Sequence, residues 1–116
     1  KDPYWMAFDL ALVTVTWNIA ASVNYRHEFL YSRTGELLFC FDQEVNQVGT
    51  VEHRYYWSGG RLFRKETRRK GGDKPENTIH LRDFPKNDLD QANLLRSKAA
   101  GYGNLFKIMV AAEKTK

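Results

Sequence analysis

Two units of similar sequence follow one another in this chain of 116 residues, and they restrict its fold more than any other feature. Glu28–Phe39 and His53–Arg64 each contain aromatic residues, a short polar turn that ends in glycine, and further apolar residues. Glycine adopts positive φ without the steric cost of a Cβ, which the tight connection of a β-hairpin requires. We therefore predict two hairpins with three-residue loops, at Arg33–Gly35 and Ser58–Gly60.

Strand periodicity extends the predicted sheet toward the N-terminus. In Leu12–Trp17 valine and tryptophan alternate with threonine, and Val23–Ser32 places its apolar and aromatic residues on one face. Asn18–Ser22 is predicted to hold a bend between these strands. The predicted loops also set the register of the hairpins. In this register the four predicted cross-strand pairs are Tyr31 with Leu37, Phe29 with Phe39, Tyr56 with Leu62 and Tyr55 with Phe63.

The hydrophobic period changes in the last third of the chain. Residues 67–86 are rich in charge, glycine and proline and predict an exposed connection, with one short edge strand at Thr78–Leu81. Residues 87–112 predict a helix that begins at Asn87 as N-cap, with a break or a close contact near Gly101. Its apolar stripe consists of Leu95, Ala99, Tyr102, Phe106 and Met109, which Leu94 widens.

These elements predict an α+β fold, in which an antiparallel β-meander of about four to six strands packs on one C-terminal amphipathic helix. The chain is expected to form a single domain over residues 1–116, with the hairpin sheet in residues 12–66. Its one cysteine, Cys40, cannot form an intrachain disulfide, so the apolar core has to stabilise the fold. Leu10–Tyr25 is the longest uncharged stretch, and it is too short and too polar for a transmembrane segment.

The net charge of +4 is concentrated in one segment. Arg61–Lys70 holds six basic residues and one acidic residue, a pattern typical of a solvated strand. The alternative is a polyanion or single-stranded nucleic-acid site in this basic hairpin, residues 61–70. Nucleic acid is the less favoured partner, because the chain lacks an RNP-type motif and a recognition helix.

His27 and His53 are the residues that an acid–base or metal site would use. Each adjoins a glutamate in sequence, but neighbours on a strand point to opposite faces, which weakens the case for a His–Glu pair. We therefore predict no catalytic residue and no metal, and we keep a small hydrolase built on His27 or His53 as an alternative function. Gly59-Gly60 and Gly71-Gly72 lack the rest of a phosphate-binding loop, so no cofactor is predicted.

A run of three aromatic residues gives the main binding hypothesis. Tyr55, Tyr56 and Trp57 are consecutive, and they cannot all face the core of a sheet, so at least one lies on the other face. An aromatic sheet face suits a protein or carbohydrate partner, or a second copy in a homodimer. The candidate ligand-binding set is Tyr55, Tyr56, Trp57, Arg61, Arg64 and Lys65.

The two hairpin units resemble the Tyr-Tyr-x-x-Gly-x-Leu hairpins of the MORN-like class. Together with the C-terminal helix, they are similar to small secreted or lipid-anchored bacterial domains. The resemblance implies an extracytoplasmic location, periplasmic or secreted, and no catalysis, with a cytoplasmic location as the alternative. From the sequence we expect a non-catalytic extracytoplasmic binding or structural module.

Overall fold

The computed structural model describes residues 11–19, 22–72 and 75–114. Its strands form one antiparallel sheet in the order of the sequence, and one helix follows them. The α+β meander is therefore confirmed, with six strands in the described part. The elements are β1 (Ala11–Ile19), β2 (Val23–Tyr31), β3 (Leu37–Val45), β4 (Gly49–Ser58), β5 (Arg61–Gly71), β6 (Glu76–His80) and α1 (Lys86–Lys114).

Glycine turns connect β2 to β3 and β4 to β5, as predicted. Gly35 has φ of 90° and Gly60 has φ of 78°, both in the region that favours glycine. The loop lengths differ from the prediction, however. The first connection runs from Ser32 to Glu36, where the Ser32 amide donates to the Glu36 carbonyl oxygen. The second is a two-residue turn, because Gly59 also adopts positive φ, at 57°.

The predicted register holds only beside the first turn. Tyr31 opposes Leu37, as predicted, but the other three predicted pairs are wrong. One irregularity in each hairpin leaves Leu38 and Phe63 without an opposite residue and shifts the pairing beyond them by one residue. In the second hairpin the two-residue turn shifts the register by a further residue. The observed pairs are Phe29 with Cys40, Tyr56 with Arg64 and Tyr55 with Lys65.

The prediction of an exposed connection over residues 67–86 is wrong for its first part. Strand β5 continues to Gly71, which pairs with Gly49, and Thr67 is buried. The segment pairs with β4 on one side and β6 on the other, and its Arg68 and Arg69 form ion pairs with carboxylates on the same strand and on β6. The predicted short edge strand is present as β6, which pairs with β5.

Helix α1 begins at Lys86, so Asn87 lies in its first turn and the prediction of Asn87 as N-cap is wrong. The helix continues through Gly101 without the predicted break, and nothing lies within 4 Å of the Gly101 Cβ position, so the alternative of a close contact is wrong too. Leu95 and Ala99 are buried, whereas Leu94 is exposed and does not belong to the packed stripe. The side chains of Phe106 and Met109, which complete the predicted stripe, lie outside the described part. No helix in the described ranges combines the length and the apolar character that crossing a bilayer requires.

The core lies between α1 and one face of the sheet, where Phe29, Tyr31, Cys40, Tyr55 and Trp57 pack against Ala92, Leu95 and Ala99. Two polar contacts fix the helix at both ends of this core. The Tyr31 hydroxyl donates to the Ala99 carbonyl oxygen at 2.6 Å, and the Lys65 ammonium donates to Asp88 at 3.1 Å. The same face of the sheet continues beyond the flank of the helix, and there it forms the floor of a cleft.

Candidate functional site

A cleft of about 550 Å³ lies between this face of the sheet and the flank of α1. The strand register explains its floor, because residues directly opposite one another project from the same face. His27 opposes Asp42, which opposes His53 on the next strand, and all three line the cleft. Gln91 and Lys98 form the wall on the helix side. The meander thus gathers side chains that are far apart in sequence.

His27 and Asp42 form a hydrogen-bonded pair on the floor. Nε2 of His27 lies 3.0 Å from Oδ1 of Asp42. The imidazole is buried, and it packs edge-on against Trp17 at 4.8 Å and Phe29 at 5.6 Å between ring centroids. The carboxylate and the two rings hold the imidazole in one orientation. Its sequence neighbour Glu28 points to the opposite face, as the alternation of a strand requires, and pairs there with Arg26.

His53 is held in a second network on the same floor. Its Nδ1 lies 3.1 Å from the Thr67 hydroxyl, which also accepts a hydrogen bond from the Lys65 ammonium at 2.7 Å. Burial, and then the positive charge of Lys65, holds the pKa of His53 below its usual value. The ring is therefore neutral at pH 7, and Thr67, which accepts from Lys65, donates its own proton to Nδ1. His53 supports the packing of the cleft more than it offers a proton.

The aromatic end of the cleft is built from β1 and β2. Trp17 opposes Tyr25 in the register, and their rings stack with centroids 5.1 Å apart and planes 13° apart. Tyr25 in turn opposes Glu44 on β3. The cleft therefore has a ring stack beside carboxylates, an arrangement that no adjacent residues in the sequence indicate.

The structure does not bring the predicted ligand-binding set together. Tyr55 and Trp57 are 1% and 3% exposed and stack on each other in the core, because α1 covers their face. Tyr56 lies on the opposite face, because consecutive side chains of a strand alternate between the two faces. Tyr55 and Trp57 are therefore not accessible to a ligand, which corrects their place in the candidate ligand-binding set. Lys65 is also buried, against Asp88.

The remaining predicted residues, Arg61 and Arg64, lie outside the cleft in the basic segment. Arg61 is exposed beside the turn, and the guanidinium of Arg64 lies over the Tyr56 ring at 5.6 Å and near Glu66 at 3.8 Å. Glu66 also pairs with Arg68 at 3.0 Å. Acidic partners thus compensate cations of the segment, which favours the solvated strand over the polyanion site that we kept as an alternative.

The buried groups near the cleft do not offer metal or thiol chemistry. Among the described residues, no group of three or more His, Cys, Asp or Glu side chains is placed to hold a metal ion. Cys40 is fully buried, as its apolar neighbours predicted, and burial raises the pKa of its thiol above the usual value. A thiol in this state is a poor nucleophile at neutral pH.

The cleft combines groups that binding sites use: stacked rings, two carboxylates, two imidazoles and the amide of Gln91. Sequence reasoning identified His27 and His53 but missed Asp42 and Glu44, whose role depends on the register of β3 with its neighbours.

No protein-family model, no curated protein and no solved structure matches the chain.

Proposed function

We propose that this protein is a binding module for a small ligand, and that the ligand occupies the cleft between the sheet and α1. The observation that carries the proposal is the convergence of rings and polar groups in one concave region of about 550 Å³. Small-molecule sites have volumes of roughly 300–1,000 Å³, with apolar walls and a few directed polar groups. We keep the binding function that we expected from the sequence, but we propose the cleft as its site.

Three features of the cleft support ligand binding over a purely structural role. The Trp17–Tyr25 stack gives a ring surface that is only half-buried. The network around His27 and His53 fixes the polar floor before any ligand arrives, which lowers the entropic cost of binding. Gln91 on the helix flank supplies both a donor and an acceptor.

Ligand-observed NMR with a panel of soluble single-ring fragments tests this proposal. We expect fragments to bind the unmodified protein and to lose most of their affinity in Trp17→Leu, because the ring surface is removed. Tyr56→Phe is the matched control, since Tyr56 lies on the opposite face of the sheet. Absence of binding at millimolar fragment, or unchanged binding in Trp17→Leu, would show that the cleft is not a ligand site.

The His27–Asp42 pair favours proton transfer as a second candidate function. With Nε2 engaged by the carboxylate, Nδ1 of His27 is the nitrogen that remains to accept a proton. In ester hydrolysis, Nδ1 would take a proton from water as the water oxygen attacks the carbonyl carbon and the alkoxide or phenolate leaves. We expect Asp42→Asn to lower p-nitrophenyl acetate hydrolysis by about a hundredfold. A rate no higher than that of the buffer would remove this candidate.

The extracytoplasmic location, a protein or carbohydrate partner, and a homodimer all stay predictions from the sequence. The resemblance to MORN-like hairpins supports the location. The half-buried Tyr56, with Arg64 over its ring, is the part of the predicted aromatic face that remains for a macromolecular partner.

A further inference from the structure

Two carboxylates on the floor of the cleft keep part of their hydrogen-bonding capacity. Asp42 and Glu44 are two positions apart on β3, so both project from the face that forms the floor. Oδ1 of Asp42 is engaged by His27, and Oε2 of Glu44 accepts from the Asn46 side chain at 3.1 Å. The other oxygen of each carboxylate receives no hydrogen bond from a described residue. Neither of these two unpaired oxygens is fully buried.

Aromatic rings lie directly across the strand register from these carboxylates. Glu44 opposes Tyr25, whose ring stacks on Trp17, and Asp42 opposes His27. The faces of Tyr and Trp rings carry partial negative charge and attract cations, most strongly where water is partly excluded. The rings and the carboxylates therefore favour the same kind of ligand group, a positive charge.

The two described cations that line the cleft, Arg69 and Lys98, do not pair with its carboxylates. Arg69 also lines the cleft, but its guanidinium is engaged by Glu76 at 2.8 Å. Lys98 lies on the flank of the helix with an exposed side chain, where water screens its charge. No described Lys or Arg forms an ion pair with Asp42 or Glu44. A cationic ligand group meets two carboxylates there, whereas an anionic group meets repulsion.

We propose that the ligand of the cleft is a protonated organic amine, whose ammonium group binds Asp42 and Glu44 while its apolar or aromatic part packs on the Trp17–Tyr25 stack. This inference rests on the proposed function and names the chemistry of the ligand. The ammonium N–H groups donate to the oxygens that the protein leaves open, and such charge-assisted hydrogen bonds are the strong ones.

Three probes of similar size separate charge from shape: 2-phenylethylamine, 2-phenylethanol and phenylacetate. They share a phenyl ring and are positive, neutral and negative at pH 7. In isothermal titration calorimetry at low salt, we expect the amine to bind at least about tenfold more tightly than the alcohol, and phenylacetate no more tightly than the alcohol. Equal affinity of amine and alcohol, tighter binding of phenylacetate, or no binding of the amine at millimolar concentration overturns the inference.

Variants localise the effect to the carboxylates. Glu44→Gln removes one charge with little change of shape, and we expect it to weaken the amine about tenfold while leaving the alcohol unchanged. Glu36→Gln is the control, because Glu36 is an exposed carboxylate in the β2–β3 turn, outside the cleft. An equal effect of both variants, or no effect of Glu44→Gln, contradicts the proposed role of Glu44.

Failure of this inference is distinguishable from failure of the proposed function. If the neutral or negative probe binds as well as the amine, and Trp17→Leu abolishes that binding, the cleft is a ligand site with a different preference. If no probe and no ring fragment binds, both proposals are wrong.

Discussion

Replacing Tyr31 with phenylalanine tests how the helix is held on the sheet. The Tyr31 hydroxyl is buried and donates to the carbonyl oxygen of Ala99 at 2.6 Å, which is a hydrogen bond between β2 and α1. Tyr31→Phe removes this hydrogen bond and keeps the ring. The Ala99 carbonyl lies inside the helix and keeps its helical partner, so the variant leaves no buried group wholly unsatisfied. The expected loss in free energy of unfolding is about 1 kcal/mol.

For a domain of this size, that loss lowers the melting temperature by about 3–6 °C. Thermal unfolding followed by circular dichroism measures it, with urea unfolding as a second assay. Tyr56→Phe is the matched control, since the Tyr56 hydroxyl has no hydrogen bond from a described residue. We expect that variant to melt within about 1 °C of the unmodified protein. Equal melting of the two variants would refute the role of the Tyr31 hydroxyl.

Tyr31→Phe should also change how the stability of the protein depends on pH in alkaline solution. Burial, and then the nearby Cys40 and Tyr102, raises the pKa of Tyr31 to about 12 from its usual value of 10.0. Below pH 10 the folded and unfolded states both hold the proton, so the contribution to stability is complete. Between pH 10 and 12 the unfolded state releases it first, and stability falls as pH rises. Tyr31→Phe should show a smaller loss in that window, and an unchanged slope would contradict this assignment.

Further substitutions test the turns and the second attachment of the helix. Gly35→Val and Gly60→Val should each cost about 1–2 kcal/mol, because these positions have φ of 90° and 78°, and unchanged melting in both would refute the turn assignment. Gly101→Ala should instead stabilise the protein by about 0.5–1 kcal/mol, since Gly101 lies in the helix with open space around its Cβ position. Asp88→Asn should lower the urea midpoint, because it leaves the buried ammonium of Lys65 without its carboxylate. A midpoint equal to that of the unmodified protein would show that Lys65 does not depend on Asp88.

Local signals in the sequence were enough to predict the main elements of the fold. Gly35 and Gly60 marked the turns because few other residues adopt their conformation. The alternation in Val23–Tyr31 matches the face that β2 buries. The apolar period located α1, with Leu95 and Ala99 in the core. Each of these signals acts within a few residues, which is why it can be read from one sequence.

The site could not be predicted, because it depends on one residue of register. Without the irregularity at Leu38, His27 would oppose Phe41, and no pair with Asp42 would form. Nothing in the residues around Leu38 specifies that shift before the strands pair. The packing of α1 on the sheet also depends on residues that are far apart in sequence. This packing buries Tyr55, which the sequence indicated as a binding residue.

The binding cleft is tested most directly by the indole N–H resonances of the protein in ¹H–¹⁵N NMR spectra. Trp17 lines the cleft, whereas Trp57 is 3% exposed in the core. During a titration with 2-phenylethylamine, we predict a saturable shift of the Trp17 resonance, assigned by its loss in Trp17→Leu, with the Trp57 resonance nearly stationary. A ligand that binds by calorimetry and leaves the Trp17 resonance unmoved would contradict the account.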